Sequence, residues 1–249
     1  MLKEHQDAFG REIFDYLTHG SGARAVAEII ERDDGYFNSS RGPAAYFTEF
    51  RDWLAFERKA MRFARGRVLD IGSGAGRHAL YLQGKGPEVM AIDNSPLAIE
   101  VCKRRGIKNT SVTPINQIGS NLGVFDTIIM MGNNFGLFGS FNVAKRVLKR
   151  FYKITSEKGR IIASTNDTYD TEVPEHLSYQ QSNREKGRMS GQVRIRVRYK
   201  KYVTPWFDYL MVSKEEMENI LDGTGWRVSK YIDSESSFYI AIIDKVRVK

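Results

Sequence analysis

The chain has 249 residues, 41% of them hydrophobic and 12% aromatic, so composition excludes a disordered chain and fits one α/β domain with appendages. A single cysteine, Cys102, excludes an internal disulfide or a thiolate metal cluster, and the four histidines show no ligand spacing, so no metal is expected. No apolar run approaches the roughly 18 residues that span a bilayer, the first residues lack leader character and point to the cytoplasm, and the net charge of +8 permits an anionic partner without demanding one.

In chain order, a helix is expected around Ala23 to Glu31. A second is expected over 44–64, where Tyr46, Phe47, Phe50, Trp53, Leu54 and Met61 recur at helical spacing after the breaker pair Gly42-Pro43. Short apolar runs follow at 67–71, 89–92, 126–131 and 159–164, the pattern of strands buried on both faces of a parallel sheet. Between them, Ser95-Pro96 opens a helix that Gly106 stops and that carries Cys102 as a packed thiol. Another helix, from about Asn142 to Thr155, turns Val147, Leu148 and Phe151 inward and a basic face outward. Val193 to Tyr202 alternates apolar residues with Arg194, Arg196, Arg198 and Lys200, the period of a half-exposed antiparallel strand, and a strand near 206–212 can pair with it. Ser213 to Glu216 is a capping box that starts a helix, and strands at 227–232 and 238–246 form a closing hairpin.

The stretch that carries chemistry is Val68-Leu-Asp-Ile-Gly-Ser-Gly-Ala-Gly-Arg77. Glycines at 72, 74 and 76 allow a sharp turn and leave no Cβ between backbone and ligand. Phosphate- and dinucleotide-binding sheets use similar turns, so the turn alone does not decide. In a dinucleotide turn the third glycine falls one residue later and the residue two before the first glycine is apolar; here Arg77 and Asp70 stand at those places.

With Asp70 before GxGxG, Asp93 at the end of the next strand, 17 residues after Gly76, and Phe125 to Met131 running into Gly132-Asn133-Asn134-Phe135, the sequence resembles the class I S-adenosylmethionine-dependent methyltransferases. The resemblance covers residues 67–166 closely, and 213–246 fits the family's antiparallel ending. It implies an α/β, Rossmann-like three-layer sandwich with a seven-stranded, mostly parallel sheet ending in an antiparallel hairpin. Residues 1–66 are read as an N-terminal helical cap and 67–249 as the core, with a β insertion at about 170–212 on the active-site rim and the N-terminal helices opposite it. It also implies S-adenosyl-L-methionine as methyl donor, held by Asp70, Gly72, Ser73, Gly74, Gly76, Asp93, Asn94, Ile115, Asn116, Met131 and Gly132. Asp93 is assigned to the two ribose hydroxyls, through charge-assisted hydrogen bonds, and Asp126 to a structural role. One departure stands out: where relatives place an acid for the adenine amino group, this chain reads Thr113-Pro-Ile-Asn-Gln-Ile118, so Ile115 is assigned to the adenine face and Asn116 or backbone atoms to its polar edge.

On the acceptor side the candidates are Asn133, Asn134, Phe135 and Tyr46, although loop asparagines also form turns and aromatic stripes also form cores. The segment is not the Asn/Asp-Pro-Pro-aromatic tetrapeptide of many base-directed methyltransferases, which favours a small-molecule acceptor. His78 reads as a packed imidazole. Residues 184–201, with eight basic residues against Glu185, keep RNA open as an alternative acceptor, the other reading being a solvated strand face. A non-catalytic nucleotide-binding Rossmann protein is the remaining alternative.

Overall fold

The structure, a computed structural model, describes residues 2–20 and 27–246. In chain order its elements begin with helix α1 (Ala8–His19), strands β1 (Ile29–Arg32) and β2 (Phe37–Ser39), and helix α2 (Ala55–Met61). Next come β3 (Val68–Ile71), α3 (Arg77–Gly84), β4 (Val89–Asp93), α4 (Pro96–Arg104), β5 (Asn109–Val112), β6 (Phe125–Met130), α5 (Phe141–Lys153) and β7 (Thr155–Asn166). The chain ends with α6 (Pro174–Glu185), β8 (Gln192–Tyr199), β9 (Tyr202–Val203), β10 (Phe207–Leu210), α7 (Lys214–Leu221), β11 (Trp226–Asp233) and β12 (Phe238–Lys245). Seven strands make one sheet, in the order β11-β12-β7-β6-β3-β4-β5, and β10-β8-β1-β2 make another, with β9 paired to β8. No helix among the described residues is long and apolar enough to cross a membrane.

Two compact units divide these elements: residues 1–53, 68–117 and 194–207 form the first, and 54–67, 118–193 and 208–249 the second. In the first, β3, β4 and β5 run parallel, with Val68 beside Val89 and Met90 beside Asn109. All four residues of β3 are buried, as a strand covered on both faces requires. In the second, β6 and β7 are parallel while β12 pairs antiparallel with both β7 and β11. Asp126, at the foot of β6, accepts hydrogen bonds from the Arg67 backbone N–H at 2.9 Å and the Ser156 hydroxyl at 2.7 Å, the structural role expected of it.

The N-terminal segment differs from the helical reading. The helix expected around Ala23 to Glu31 lies outside the described residues up to residue 26, and its end, Ile29–Arg32, is β1. There the β-branched pair Ile29-Ile30 finds strand partners on both sides, β2 and β8. The single helix expected over 44–64 is two short 3-10 turns, Pro43–Phe47 and Phe50–Asp52, followed by α2. Extended backbone at Glu49, Trp53 and Leu54 separates the pieces. The aromatic residues go to different partners: Phe47 meets Tyr16 and Phe50 stacks on Tyr81 with ring centroids 4.2 Å apart. Helix α1, unpredicted, begins where Asp7 accepts the Gly10 N–H. The expected placement of the N-terminal segment opposite the 170–212 insertion is also corrected: β1 is hydrogen-bonded directly to β8 of that insertion, with Ile30 beside Val197.

Candidate active site

In the first unit the chain leaves β3 through the glycine loop. Gly72 and Ser73 donate their N–H groups to the Ile92 carbonyl at 2.9 and 3.0 Å, tying the loop to β4. Gly76, at φ 75°, starts α3, and a Cβ there would collide with Ile107, so both conformation and space demand glycine. Asp93 is buried at the end of β4, one carboxylate oxygen accepting the Gly74 N–H at 3.0 Å and the other the Ser95 N–H at 2.9 Å. Burial raises its pKa to about 6 against the opposing help of those N–H groups. Each carboxylate oxygen has two lone pairs, so Asp93 braces the loop and keeps accepting capacity on both oxygens.

Asp70 is 2% exposed, and one of its oxygens, Oδ2, is buried without a hydrogen-bond partner. Burial, then repulsion from Asp93, raises its pKa to about 7. A buried carboxylate oxygen left unpaired is costly and marks a place where a donor group belongs. Ser73 Oγ and Cys102 Sγ lie 3.6 Å apart, and Cys102 also donates to the Gly74 carbonyl. Burial pushes the Cys102 thiol up to about 12, in keeping with a packed, unreactive residue. His78 is buried with its ring 4.7 Å from that of Trp53, and burial drives its pKa well down, so it is a neutral packed imidazole. Asn94 is exposed on the turn after Asp93; Ile115, half-buried, and Asn116, exposed, sit on a 3-10 turn beyond β5.

Sequence reasoning missed the wall that α1 builds beside this loop. Phe9 comes nearest to Gly74, within 3.3 Å of where a Cβ would stand. Tyr46 packs edge-on against Phe9 with centroids 4.9 Å apart and donates its hydroxyl to Glu28 at 2.5 Å. Glu28 and Glu12 are both buried, and the Glu28 N–H donates to Glu12 at 3.0 Å. Desolvation, then the charge of Glu28, raises the Glu12 pKa to about 8. Asp7 joins α1 to α4: besides Gly10, it accepts the Ser95 hydroxyl at 2.8 Å and the Leu97 N–H at 3.1 Å. The signal was present as an N-cap aspartate followed by Phe9, Ile13 and Leu17 at helical spacing.

The basic strand of the first unit is paired rather than simply solvated. Arg196 holds Glu31 through Nε at 2.6 Å and a terminal nitrogen at 2.8 Å, and Arg198 donates to the same carboxylate. These two guanidinium groups hold the Glu31 carboxyl at about 2. Lys200 reaches Asp15 at 2.8 Å, and Arg11 pairs with the same carboxylate.

The second unit carries the residues after β6. Met131 is buried and Gly132 exposed. Asn133 adopts φ 69°, left-handed for a non-glycine residue; its N–H donates to Ser164 Oγ at 2.7 Å and its carbonyl accepts the Tyr209 hydroxyl at 2.5 Å. Its Oδ1 is buried and without a partner. Asn134 opens a 3-10 turn in which Phe135 is fully buried against Phe138, 4.9 Å between centroids. Phe135 is therefore core, a correction to its place among the acceptor-side candidates. The structure thus brings Asp70, the glycine loop and Asp93 together in the first unit, and gathers Asn133, Ser164 and Tyr209 in the second.

A methyltransferase-domain model matches residues 68–159. Comparison with curated protein sequences finds no match. Among solved structures, the chain is similar to a SAM-dependent methyltransferase from Bacteroides fragilis in complex with S-adenosyl-L-homocysteine, at 25% identity and TM-score 0.82, covering 99% of this chain and 98% of that one. It is also similar to an S-adenosylmethionine-dependent methyltransferase from Clostridium acetobutylicum, at 13% identity and TM-score 0.60 over 82% and 95% of the two chains. A third is the 1,6-didemethyltoxoflavin-N1-methyltransferase of Burkholderia thailandensis, at 16% identity and TM-score 0.50 over 78% and 79%.

Proposed function

We propose that this chain, a class I S-adenosylmethionine-dependent methyltransferase by its fold and its methyltransferase domain, delivers the methyl group to a small molecule rather than to RNA. The residues of the first unit fit the donor. The loop 72–76 offers bare backbone at its three glycines, Asp93 has lone pairs left for two ribose hydroxyls, and the unpaired Asp70 oxygen suits an amino group. Ile115 and Asn116, with Asn94, are our assignments for the adenosine side. S-adenosylmethionine, when bound, supplies an electrophilic methyl group on a positive sulfonium. The chain's own task is then to hold the nucleophile in line and keep water away, which provides much of such an acceleration without a dedicated base. Asn133, with its free side-chain oxygen, is our candidate for orienting the acceptor.

The observation that carries the choice of acceptor is the pairing of the arginine strand. Arg196 and Arg198 share the Glu31 carboxylate and Lys200 pairs with Asp15, so three cations of the basic run are engaged by carboxylates of the protein, which lowers the charge they offer to phosphates. The test is transfer of labelled methyl from S-adenosylmethionine, with a small-metabolite extract and total RNA offered separately. Label in the small-molecule fraction is the expected result. Label in RNA, lost when Arg194, Arg196 and Arg198 are together replaced by Gln, would reverse the choice.

A further inference from the structure

Helix α5, in the second unit, carries the other basic segment of the sequence, and it is built differently from the arginine strand. Its buried side is apolar, made of Ala144, Val147, Leu148 and Phe151. With about 3.6 residues per turn, Asn142, Lys145, Arg146, Lys149, Arg150 and Lys153 fall together on the opposite side, where they line an open depression of about 480 Å³. That volume lies within the range of small-molecule sites. Five cations and one amide make up the lining, and no carboxylate enters it. Lys145, Lys149 and Lys153 form one row at i, i+4 spacing and Arg146 with Arg150 the next, so two rows of cations run side by side for about 12 Å along the helix.

Like charges at that spacing repel. Arg150 and Lys153 stand in the last turn, where the negative end of the helix dipole compensates them. Lys145, Arg146 and Lys149 lie before that turn, and among the described residues none of the three makes an ion pair. On β8, by contrast, Arg196, Arg198 and Lys200 each have a carboxylate partner. An anion from outside the chain would relieve the repulsion within the α5 stripe. The two rows suit a linear anion whose charges repeat along its length, and phosphate oxygens accept from both guanidinium and ammonium groups. The stripe is short, and its rings are already covered: Phe141 lies under the Lys145 ammonium at 5.2 Å, and Tyr152 lies under Lys245 at 4.0 Å and against Trp226. Without a ring on which bases stack, a nucleic-acid strand gains nothing there beyond its phosphates, and a short phosphate chain is favoured over RNA or DNA. We propose that the basic face of α5 is a binding site for a short polyphosphate chain, that of inorganic tripolyphosphate or of a nucleoside triphosphate, formed by residues other than those assigned to the methyl donor.

The test is calorimetry of the full chain with tripolyphosphate, pyrophosphate and orthophosphate, each titrated with and without saturating S-adenosylhomocysteine, so the outcome does not depend on the donor reading. Tripolyphosphate is expected to bind with a submillimolar dissociation constant in both conditions, pyrophosphate about threefold and orthophosphate about tenfold more weakly, as exposed ion pairs are lost one by one. Its affinity should fall several-fold as salt is raised from about 50 to about 200 mM. Replacing Lys145, Arg146 and Lys149 together by Gln, which keeps helix propensity, should weaken tripolyphosphate at least about tenfold without lowering the unfolding temperature. The same replacement at Lys103, Lys108 and Lys186, exposed positions elsewhere, removes equal charge and should leave binding within about twofold. ATP binding near the tripolyphosphate value in the S-adenosylhomocysteine-saturated chain would extend the site to nucleotides, and its failure to bind would restrict the site to the free chain. No binding of tripolyphosphate, equal loss in both triple variants, or displacement of tripolyphosphate by S-adenosylhomocysteine would overturn the proposal. So would a single-stranded oligoadenylate that binds more tightly than tripolyphosphate and is lost in the α5 variant, which would reassign the face to nucleic acid.

Discussion

Replacing Asp7 by Ala is expected to loosen two helices at once. Its carboxylate is 1% exposed and accepts three hydrogen bonds, from the Gly10 N–H at 3.1 Å, the Ser95 hydroxyl at 2.8 Å and the Leu97 N–H at 3.1 Å. Losing the N-cap of α1 costs about 1 kcal/mol, and stranding the buried partners in α4 adds about 1 to 3 kcal/mol. Since neighbouring effects are not additive, the sum is about 3 kcal/mol, and Asp7→Asn, which keeps one acceptor for Gly10, should lose about half of it. The assay is amide hydrogen exchange resolved by helix. Protection in α1 and the first turn of α4 should fall by on the order of 100-fold in Asp7→Ala, while β6 and β7 keep theirs. Unchanged protection in both helices would show that the contacts carry no free energy and refute the reasoning.

The pH behaviour of three carboxyls supplies further predictions. Asp93, with its pKa raised to about 6 by burial, must be ionised to accept two ribose hydroxyls, so S-adenosylhomocysteine affinity should fall about tenfold per unit below pH 6 in calorimetry. Glu12 is raised from 4.5 to about 8, so the folded state holds a proton the unfolded chain releases. Its stabilisation is full below about 4.5 and is lost as pH rises through about 8; thermal melts from pH 5 to 9 should fall, and Glu12→Gln should flatten the slope. Glu31 is lowered from 4.5 to about 2 by Arg196 and Arg198, so its contribution is present above 4.5 and lost only as pH falls through about 2, which a side-chain NMR titration reads directly. Glu31→Gln should release both guanidinium groups and raise salt-sensitive affinity for RNA above the wild-type level in filter binding.

The parts of the fold legible in the sequence were those set by neighbouring residues. Ser95-Pro96 caps α4, the Ser213/Glu216 box starts α7, and the apolar runs become strands of the seven-stranded sheet, because caps and burial patterns act over a few positions. Helix α6 was hidden because what it buries is polar: Gln180 and Asn183, satisfied by the carbonyls of Thr168, Ser190 and Gln192. Hydrophobic periodicity cannot find such a helix. At the site, Asp70, the glycine loop and Asp93 stood out by spacing, but the N–H groups that Asp93 braces did not. The arginine strand is the plainest case of missing information. Arg196 and Arg198 are engaged by Glu31, more than 160 positions earlier in the chain, and strand pairing between β1 and β8 brings them together.

The central claim rests on the donor site, and calorimetric titration of the wild-type chain tests it most directly, with S-adenosylhomocysteine in one experiment and NAD in the other. The account predicts one-to-one binding of S-adenosylhomocysteine, weakened about 30-fold in Asp93→Ala, the loss of about 2 kcal/mol that two charge-assisted hydrogen bonds represent at minimum, and no heat with NAD. Binding of NAD with no response to S-adenosylhomocysteine would contradict it.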